Sequence, residues 1–466
     1  MCETMSRVCE GLAVILSSKA VFYNPAQVLN RDLSVACLQA WAASHSNLRV
    51  LEALSATGLR SIRYAREVPG VHVTANDIDP VAVQDIRNNL EHNGIGADRV
   101  SVSCADAVLL LQQSRNCFDV IDLDPFGTVA PFLDAAIAGI KDGGLLLVTC
   151  TDMRNLAAGD ASACFANYGS VPLKTFFHGE QSIRIVLASA NACAAKHKRT
   201  ITPLLSLNMG FYVRLVLKVQ HSVSEARIAA SKVSRAIQCV QCGSFHLEPL
   251  ALVKVSKTGG LLPQIAPCRW EGADLCLICG GELQVGGPMW NLKIHDRSFI
   301  EQVRAQVENP SNTNIFSHVP HLTALLQCVS EELEDVCLFW DLASICRAAK
   351  TTMPSNPAFK SALVRLGYSV SLTHTEPTGI KTDAPAHVIW DIMKKWIEQQ
   401  KAAGRMSSTR PLGSVAKRVL DRELYQDISF EVLESQKKDT IPRFLPNPEK
   451  DWGPKSRPRQ PKRMRE

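Results

Sequence analysis

No apolar stretch in this chain of 466 residues approaches the roughly 20 consecutive residues that a bilayer-crossing helix needs, so no membrane span is expected. The N-terminus lacks the charged, apolar, then small-residue order of a secretory signal, and its acidity argues against a transit peptide. There is no G-x-G-x-x-G, so no cradle for the pyrophosphate of a dinucleotide is expected. Internal repeats are missing too, which excludes solenoids and propellers. Nor is there a general excess of one charge. The net charge is +6, but residues 455–466 hold six Lys or Arg against one Glu, leaving the other 454 residues near neutral. What remains is an ordinary globular composition, 46% hydrophobic and 21% charged, long enough for two or three domains. Most of the sixteen cysteines stand singly in apolar segments (Cys37, Cys104, Cys117, Cys150, Cys193), the usage of a reducing cytosol or nucleus.

The stretch Asp119-Val120-Ile121-Asp122-Leu123-Asp124-Pro125-Phe126-Gly127 organises the rest. An apolar run with acidic interruptions reads as a buried strand, and Pro125 ends it, placing Asp124 at its carboxyl end. In an open α/β sheet that edge is where ligands bind. An Asp-Pro-aromatic corner there suits methylation of an exocyclic amine on a base, a weak nucleophile whose lone pair is delocalised into the ring. Asp124 and a neighbouring carbonyl can accept the amine hydrogens while Phe126 stacks on the base. The competing reading is a strand-to-helix turn with Asp124 as helix cap.

Around this corner the pattern alternates strand and helix, as in a doubly wound parallel sheet. A hairpin is expected from Val8 to Leu12 and Ala13 to Leu16, and a helix with Leu33, Cys37, Leu38 and Trp41 on one face. Arg31 reads most simply as a local ion pair with Asp32. Strands are expected at Val50–Leu54, Val71–Ala75, Val100–Cys104, the central stretch, and Leu145–Cys150 after a turn at Gly143-Gly144. Helices are expected at Asp79–Asn93, Val129–Ile140 and Glu180–His197, with a closing hairpin of Thr200–Leu207 and Phe211–Val219. Five parallel strands plus a hairpin form the class I methyltransferase (Rossmann-like) layout. The small-residue loop Ser55-Ala56-Thr57-Gly58 precedes Asp77 by the 19 residues, counted from Gly58, at which an acid accepts ribose hydroxyls. An acid at Asp106, beside Asp77, can accept from an adenine amino group.

Val21-Phe22-Tyr23-Asn24-Pro25, Asn30-Arg31-Asp32-Leu33-Ser34, Ala56-Thr57-Gly58-Leu59-Arg60, Asn76-Asp77, Asp124-Pro125-Phe126-Gly127 and Pro377-Thr378-Gly379-Ile380-Lys381-Thr382-Asp383 together resemble the tRNA (guanine-26 N2) dimethyltransferase family over nearly the whole chain. The resemblance implies an S-adenosylmethionine-dependent enzyme that methylates a guanine amine in tRNA once or twice. It implies that Arg31, Gly58, Arg60, Asp77 and Asp106 surround the cofactor. Asp124, with Pro125 and Phe126, would form the catalytic corner, and Phe22, Asn24 and Phe126 would contact the base. Against the family pattern, a longer N-terminal extension and the additional zinc finger of some animal relatives are expected to be absent. The alternatives are adenine N6 methylation on the same corner, or an RNA-binding protein with an inactive methyltransferase fold.

Beyond the methyltransferase domain, residues 1–220, a C-terminal zinc-bearing, tRNA-binding domain is expected over 221–436, then a disordered basic tail over 437–466. Cys239-x2-Cys242 and Cys276-x2-Cys279, separated by 33 residues, form two knuckles suited to one structural zinc ion. His246 and Cys268 stand near enough in sequence to replace a ligand. Helices at Phe339–Ala349 and Asn356–Leu366, with strands at Tyr368–Thr373 and Ile380–Ala384, suggest a winged-helix-like segment or a small α+β packing module. A helix from Ala386 to Gln399 follows. The tail reads as a nuclear import signal or a tRNA phosphate contact, and no obligate protein partner is evident.

Overall fold

The computed structural model describes the chain except residues 1–5, 18–21, 268–274, 406–413, 422–427, 438–442, 448–452 and 454–466. Cys268 and the charged end of the tail, 454–466, therefore lie outside the described residues, whereas part of the stretch expected to be disordered is ordered against the body: Arg443 pairs with Glu331, and His321 Nε2 donates to the Pro446 carbonyl at 2.8 Å. No helix among those described is long and apolar enough to cross a membrane.

The first half contains β1 (Ser6–Glu10), β2 (Ala13–Ser17), α1 (Val28–Ala42), β3 (Leu48–Glu52), α2 (Leu59–Glu67), β4 (Val71–Asp77), α3 (Pro80–His92), β5 (Val100–Cys104) and α4 (Ala107–Gln113). It continues with β6 (Phe118–Leu123), α5 (Ala130–Gly139), β7 (Ile140–Cys150), α6 (Met153–Leu156), α7 (Ala161–Tyr168), α8 (His178–Lys196), β8 (Arg199–Asn208) and β9 (Val213–His221). A seven-stranded sheet of order β5-β4-β3-β6-β7-β9-β8 forms the centre. Strands β3 to β7 pair in parallel, while β9 runs antiparallel to both β7 and β8. The fold is thus the expected class I methyltransferase sheet with its closing hairpin.

Two local readings are corrected. Gly143-Gly144 is not a turn before β7 but a kink inside it, with Gly143 at φ +74°. Gly144 is needed there because a Cβ would lie 2.8 Å from the Asp119 carbonyl oxygen. Arg31 does not pair with Asp32: its Nε and Nη2 donate to the two carboxylate oxygens of Glu10 of β1, at 2.7 and 2.6 Å, while Asp32 pairs with Arg63 at 2.7 Å. The partners come from different elements, so spacing along the chain could not reveal them.

The second half contains α9 (Val223–Arg227), β10 (Val233–Cys239), β11 (Phe245–Pro249), β12 (Ala251–Val255), β13 (Leu261–Ile265), β14 (Leu283–Trp290), α10 (Arg297–Val307) and α11 (Val319–Glu331). After these come β15 (Trp340–Asp341), α12 (Leu342–Ala349), α13 (Asn356–Arg365), β16 (Val370–Leu372), β17 (Gly379–Thr382) and α14 (Ala386–Ala402). The helix pair and two-stranded wing are present, and β15 adds a third strand in the order β15-β17-β16.

Packing runs across residue 221. Phe299, Ile300 and Val303 of α10 and Leu322 and Leu326 of α11 share one core with α1 and the sheet. A buried ionic network adds to this. Lys381 of β17 lies 3.0 Å from Glu180 of α8 and 3.2 Å from Glu332, and Arg184 lies 2.6 Å from Glu180. Glu332 also bonds His374 at 2.6 Å, with His295 beyond. These two histidines and Glu332 have metal-ligand proximity, but the Lys381 ammonium already stands against Glu332, so the cluster is a charge network.

Candidate active site

The site is assembled at the carboxyl edge of the parallel strands. After β3 the chain turns through Ser55, Ala56 and Thr57 to Gly58, whose φ of +75° starts α2 and whose absent Cβ would press on Ile86 at 3.2 Å. Asp77 fixes this loop: its Oδ2 accepts from Ala56 N at 2.8 Å and its Oδ1 from Asp79 N at 3.0 Å. Asn76 is buried beside it and donates to the carbonyls of Ala53 and Ala105, each at 3.0 Å, tying the tips of β3 and β5 together.

Asp124 follows the end of β6 and caps no helix, since α5 starts at Ala130 without a side-chain cap. Its Oδ2 accepts from Arg60 Nη2. Gly127, two residues past Pro125, is held against the end of β7 by paired 2.9 Å bonds, Gly127 N to Thr151 Oγ1 and Thr151 N to Gly127 O. Phe126 is 46% exposed at the mouth of the site, and Phe22 contacts it edge-on with centroids 4.5 Å apart.

Phe22, Asn24, Arg31, Arg60, Asp77, Asp124, Pro125 and Phe126 all line one cleft. The cleft is open to solvent and also walled by Glu52, Ser55, Thr151 and Phe211. Asn24 caps the turn before α1, its Oδ1 accepting from Ala26 N at 3.0 Å. Gly58 shapes the loop without forming a wall. Asp106 stands at the next strand tip, exposed, and its Oδ1 caps α4 through Val108 N and Leu109 N at 2.8 and 3.0 Å.

Behind the cleft lies a residue whose role the strand pattern hid. Asp122 is completely buried and receives Arg214 Nη1 at 2.9 Å and Nη2 at 3.1 Å, Arg60 Nη1 at 3.0 Å and the Tyr64 hydroxyl at 2.6 Å. Burial alone would raise its pKa. The Arg214 and Arg60 charges, with the Arg214 and Tyr64 hydrogen bonds, outweigh burial and hold the carboxyl well below its ordinary range. The sequence signal was Arg214 inside an apolar strand, because such a charge requires a buried partner. Glu52 forms another wall that sequence reasoning missed. Burial pushes its carboxyl up to about 7 against the pull of Arg60 and Ser61.

A second cluster lies away from the cleft. The sulfur atoms of Cys239, Cys242, Cys276 and Cys279 lie within 4.8 Å of one another, with Cys239–Cys279 at 3.5 Å and Cys242–Cys276 at 3.6 Å. Tetrahedral coordination with metal–sulfur bonds of ~2.3 Å puts sulfurs about 3.8 Å apart, so the four thiols fit a metal centre. His246 is not in the group.

The sheet order, the carboxylate at the β4 tip and the open cleft define a class I S-adenosylmethionine-dependent methyltransferase. The family described as TRM, N2,N2-dimethylguanosine tRNA methyltransferase, matches residues 3–394, and the chain belongs to it. Relatives agree. The chain is 38% identical over 416 residues to tRNA (guanine(26)-N(2))-dimethyltransferase 2 of Arabidopsis thaliana, covering 88% of this chain and 69% of that protein. It is 36% identical over 521 residues to the Mus musculus tRNA (guanine(26)-N(2))-dimethyltransferase, covering 98% and 77%. The structure of Trm1 from Pyrococcus horikoshii with S-adenosyl-L-methionine is similar with a TM-score of 0.71 and 30% identity, covering 83% of this chain and 98% of that one.

Asp122→Asn should cost about 3–5 kcal/mol at neutral pH, because two buried guanidiniums lose their shared anion. A depressed carboxyl stabilises above its unfolded pKa near 4 and loses that contribution as pH falls below it. The gap between variant and parent should therefore narrow at pH 3, and denaturant titrations at pH 7 and pH 3 check it. An equal gap at both would contradict the ionic role.

Proposed function

We propose that the cleft between Asp77 and Asp124 is where this tRNA (guanine-N2) dimethyltransferase transfers methyl groups to the guanine amine, and that position 26, as in its relatives' names, is the target. The observation that carries this reading is that a strand-tip carboxylate and an Asp-Pro-Phe corner share one cleft.

The chain's own groups account for binding and orientation. Asp77 accepts ribose hydroxyls with the lone pairs its two backbone bonds leave free, while the loop closed by Gly58 lets the backbone approach. Arg60 and Arg31 complete the wall, although Arg31 is held by Glu10, and the free Oδ2 of Asp106 can take an adenine amino group. S-adenosylmethionine, when bound, supplies a methyl group activated by its sulfonium. Arg60 fixes one oxygen of Asp124, which directs the other towards the substrate amine. By accepting an amine hydrogen, Asp124 Oδ1 turns the nitrogen lone pair out of conjugation, and it takes the proton released by transfer. Phe126 stacks on the base. The 4.5 Å approach of Phe22 leaves no space for a base between the two rings, so a base held between them requires one ring to swing aside, whereas a base on the outer face of Phe126 does not. Asn24 lies at the same mouth and can contact the base edge.

The cysteine cluster is read as a structural zinc site, with every coordination position filled by protein. The three-stranded wing with α12 and α13 is read as a tRNA contact. The charge of residues 455–466 supports nuclear import, with cytoplasm or an organelle as the other destinations.

Incubation with labelled cofactor and total tRNA should yield N2-methyl- and N2,N2-dimethylguanosine. Labelled N6-methyladenosine, or no label, would overturn the reading. Asp124→Ala should lower kcat roughly 10²- to 10⁴-fold while S-adenosylmethionine affinity and folding persist, since Arg60 keeps Asp122. Near-normal turnover would exclude the mechanism. Asp77→Ala should weaken cofactor binding about tenfold or more by calorimetry, and an unchanged constant would place the ribose elsewhere. Metal analysis should find one zinc per chain, and Cys276→Ser should lower thermal stability more than the turnover of the folded fraction. Folded, reduced protein without zinc would refute the site.

A further inference from the structure

Tyr212 is fully buried, yet among the described residues its hydroxyl has no hydrogen-bond partner. A buried phenol ordinarily finds one, because an unmet hydroxyl destabilises the fold. The surrounding backbone is well tied: Tyr212 O accepts from Met209 N at 2.8 Å, closing the turn between β8 and β9. Its ring packs edge-on against Phe211, which is itself a wall of the cleft.

The direction of the side chain follows from the pleat. Strand β9 runs antiparallel to β7, with Arg214 opposite Thr149 and Val213 opposite Cys150. Side chains alternate, so Tyr212 shares the face of Arg214 and lies one pleat nearer the carboxyl edge. On that face Arg214 reaches Asp122, and Arg60 bridges Asp122 to Asp124, just past the end of β6. Besides burial, which pushes the phenol pKa up, the charges acting on Tyr212 are Arg214, Asp124, Arg31 and Arg60. A neutral hydroxyl without a partner is thus held among the groups that build the catalytic corner.

We propose that Tyr212 is a positioning residue for Asp124, its hydroxyl joining the Asp124 carboxyl when the substrate amine is in the cleft. This rests on the assignment of Asp124 above. In the reaction the amine lone pair forms the new N–C bond as the methyl–sulfur bond breaks, its electron pair remaining on sulfur. The nitrogen then releases one proton to Asp124. Before that event Asp124 is an anion that needs donors; afterwards it is an acid whose O–H needs an acceptor. Arg60 can only donate, whereas a phenol does both.

Tyr212→Phe removes only the hydroxyl and gives a test with opposite signs. Since that hydroxyl has no partner among the described residues, the melting temperature without ligands should be unchanged or higher. S-adenosylmethionine affinity by calorimetry and tRNA affinity by filter binding should stay within about twofold. In contrast, kcat should fall about 10- to 100-fold, the loss expected for a hydrogen bond to a charged group. Unchanged kcat would overturn the proposal. So would a clear drop in the ligand-free melting temperature, which marks a structural hydroxyl, or a loss confined to cofactor affinity, which assigns it to the methyl donor. Full turnover in Asp124→Ala would remove the underlying reading. An inactive Asp124→Ala with a fully active Tyr212→Phe would remove this inference alone.

Discussion

The buried charge of Asp122 is the constraint around which the catalytic half is built. One carboxylate with no exposed atoms joins α2 through Arg60 and Tyr64 to β9 through Arg214. Ser34 of α1 accepts from both arginines, at 3.1 and 2.8 Å, so the first long helix is drawn into the same cluster. Removing such ions from water is costly, and only several simultaneous charge-assisted bonds offset it. The arrangement consequently has little freedom. Arg60, fixed on one side by Asp122, can present its other nitrogen to Asp124 in a single direction, and the geometry of the corner is set from behind.

The parallel strands and their helices were legible because their residues follow simple periods. Val71, Val73 and Ala75 alternate inward along β4, and Val83, Ile86 and Leu90 make one stripe on α3. The corner was legible for another reason: Pro125 marks a strand end by covalent geometry alone. What the chain did not disclose depends on contacts between distant segments. Glu10 takes Arg31 away from Asp32, and Asp122 needs Arg214, 92 residues later. The short helices α6 and α7 lie in a stretch rich in small residues whose pattern carries little period. Helices α10 and α11 bury their apolar faces against α1 and each other, so their stripes take meaning only once the partner helix is in place.

The four cysteines were readable as a pair of knuckles, and their convergence needs β10 and β14 to lie side by side, as they do. Sequence left the choice among His246, Cys268 and the four thiols open. The strand geometry answers for His246, which sits on β11 and pairs across from Ile237, away from the sulfur cluster.

The Lys381 network bears on how such a chain can be inherited. Its ammonium, contributed by the wing, neutralises Glu180 of the catalytic half and Glu332 of the connecting segment in one dry cluster. Exchange of either half for a foreign counterpart would strand an ion in the interior unless the matching residue arrived with it. Recombination within the coding sequence is therefore penalised along this seam, and the two halves are expected to descend as one unit, with substitutions at positions 180, 332 and 381 correlated among relatives.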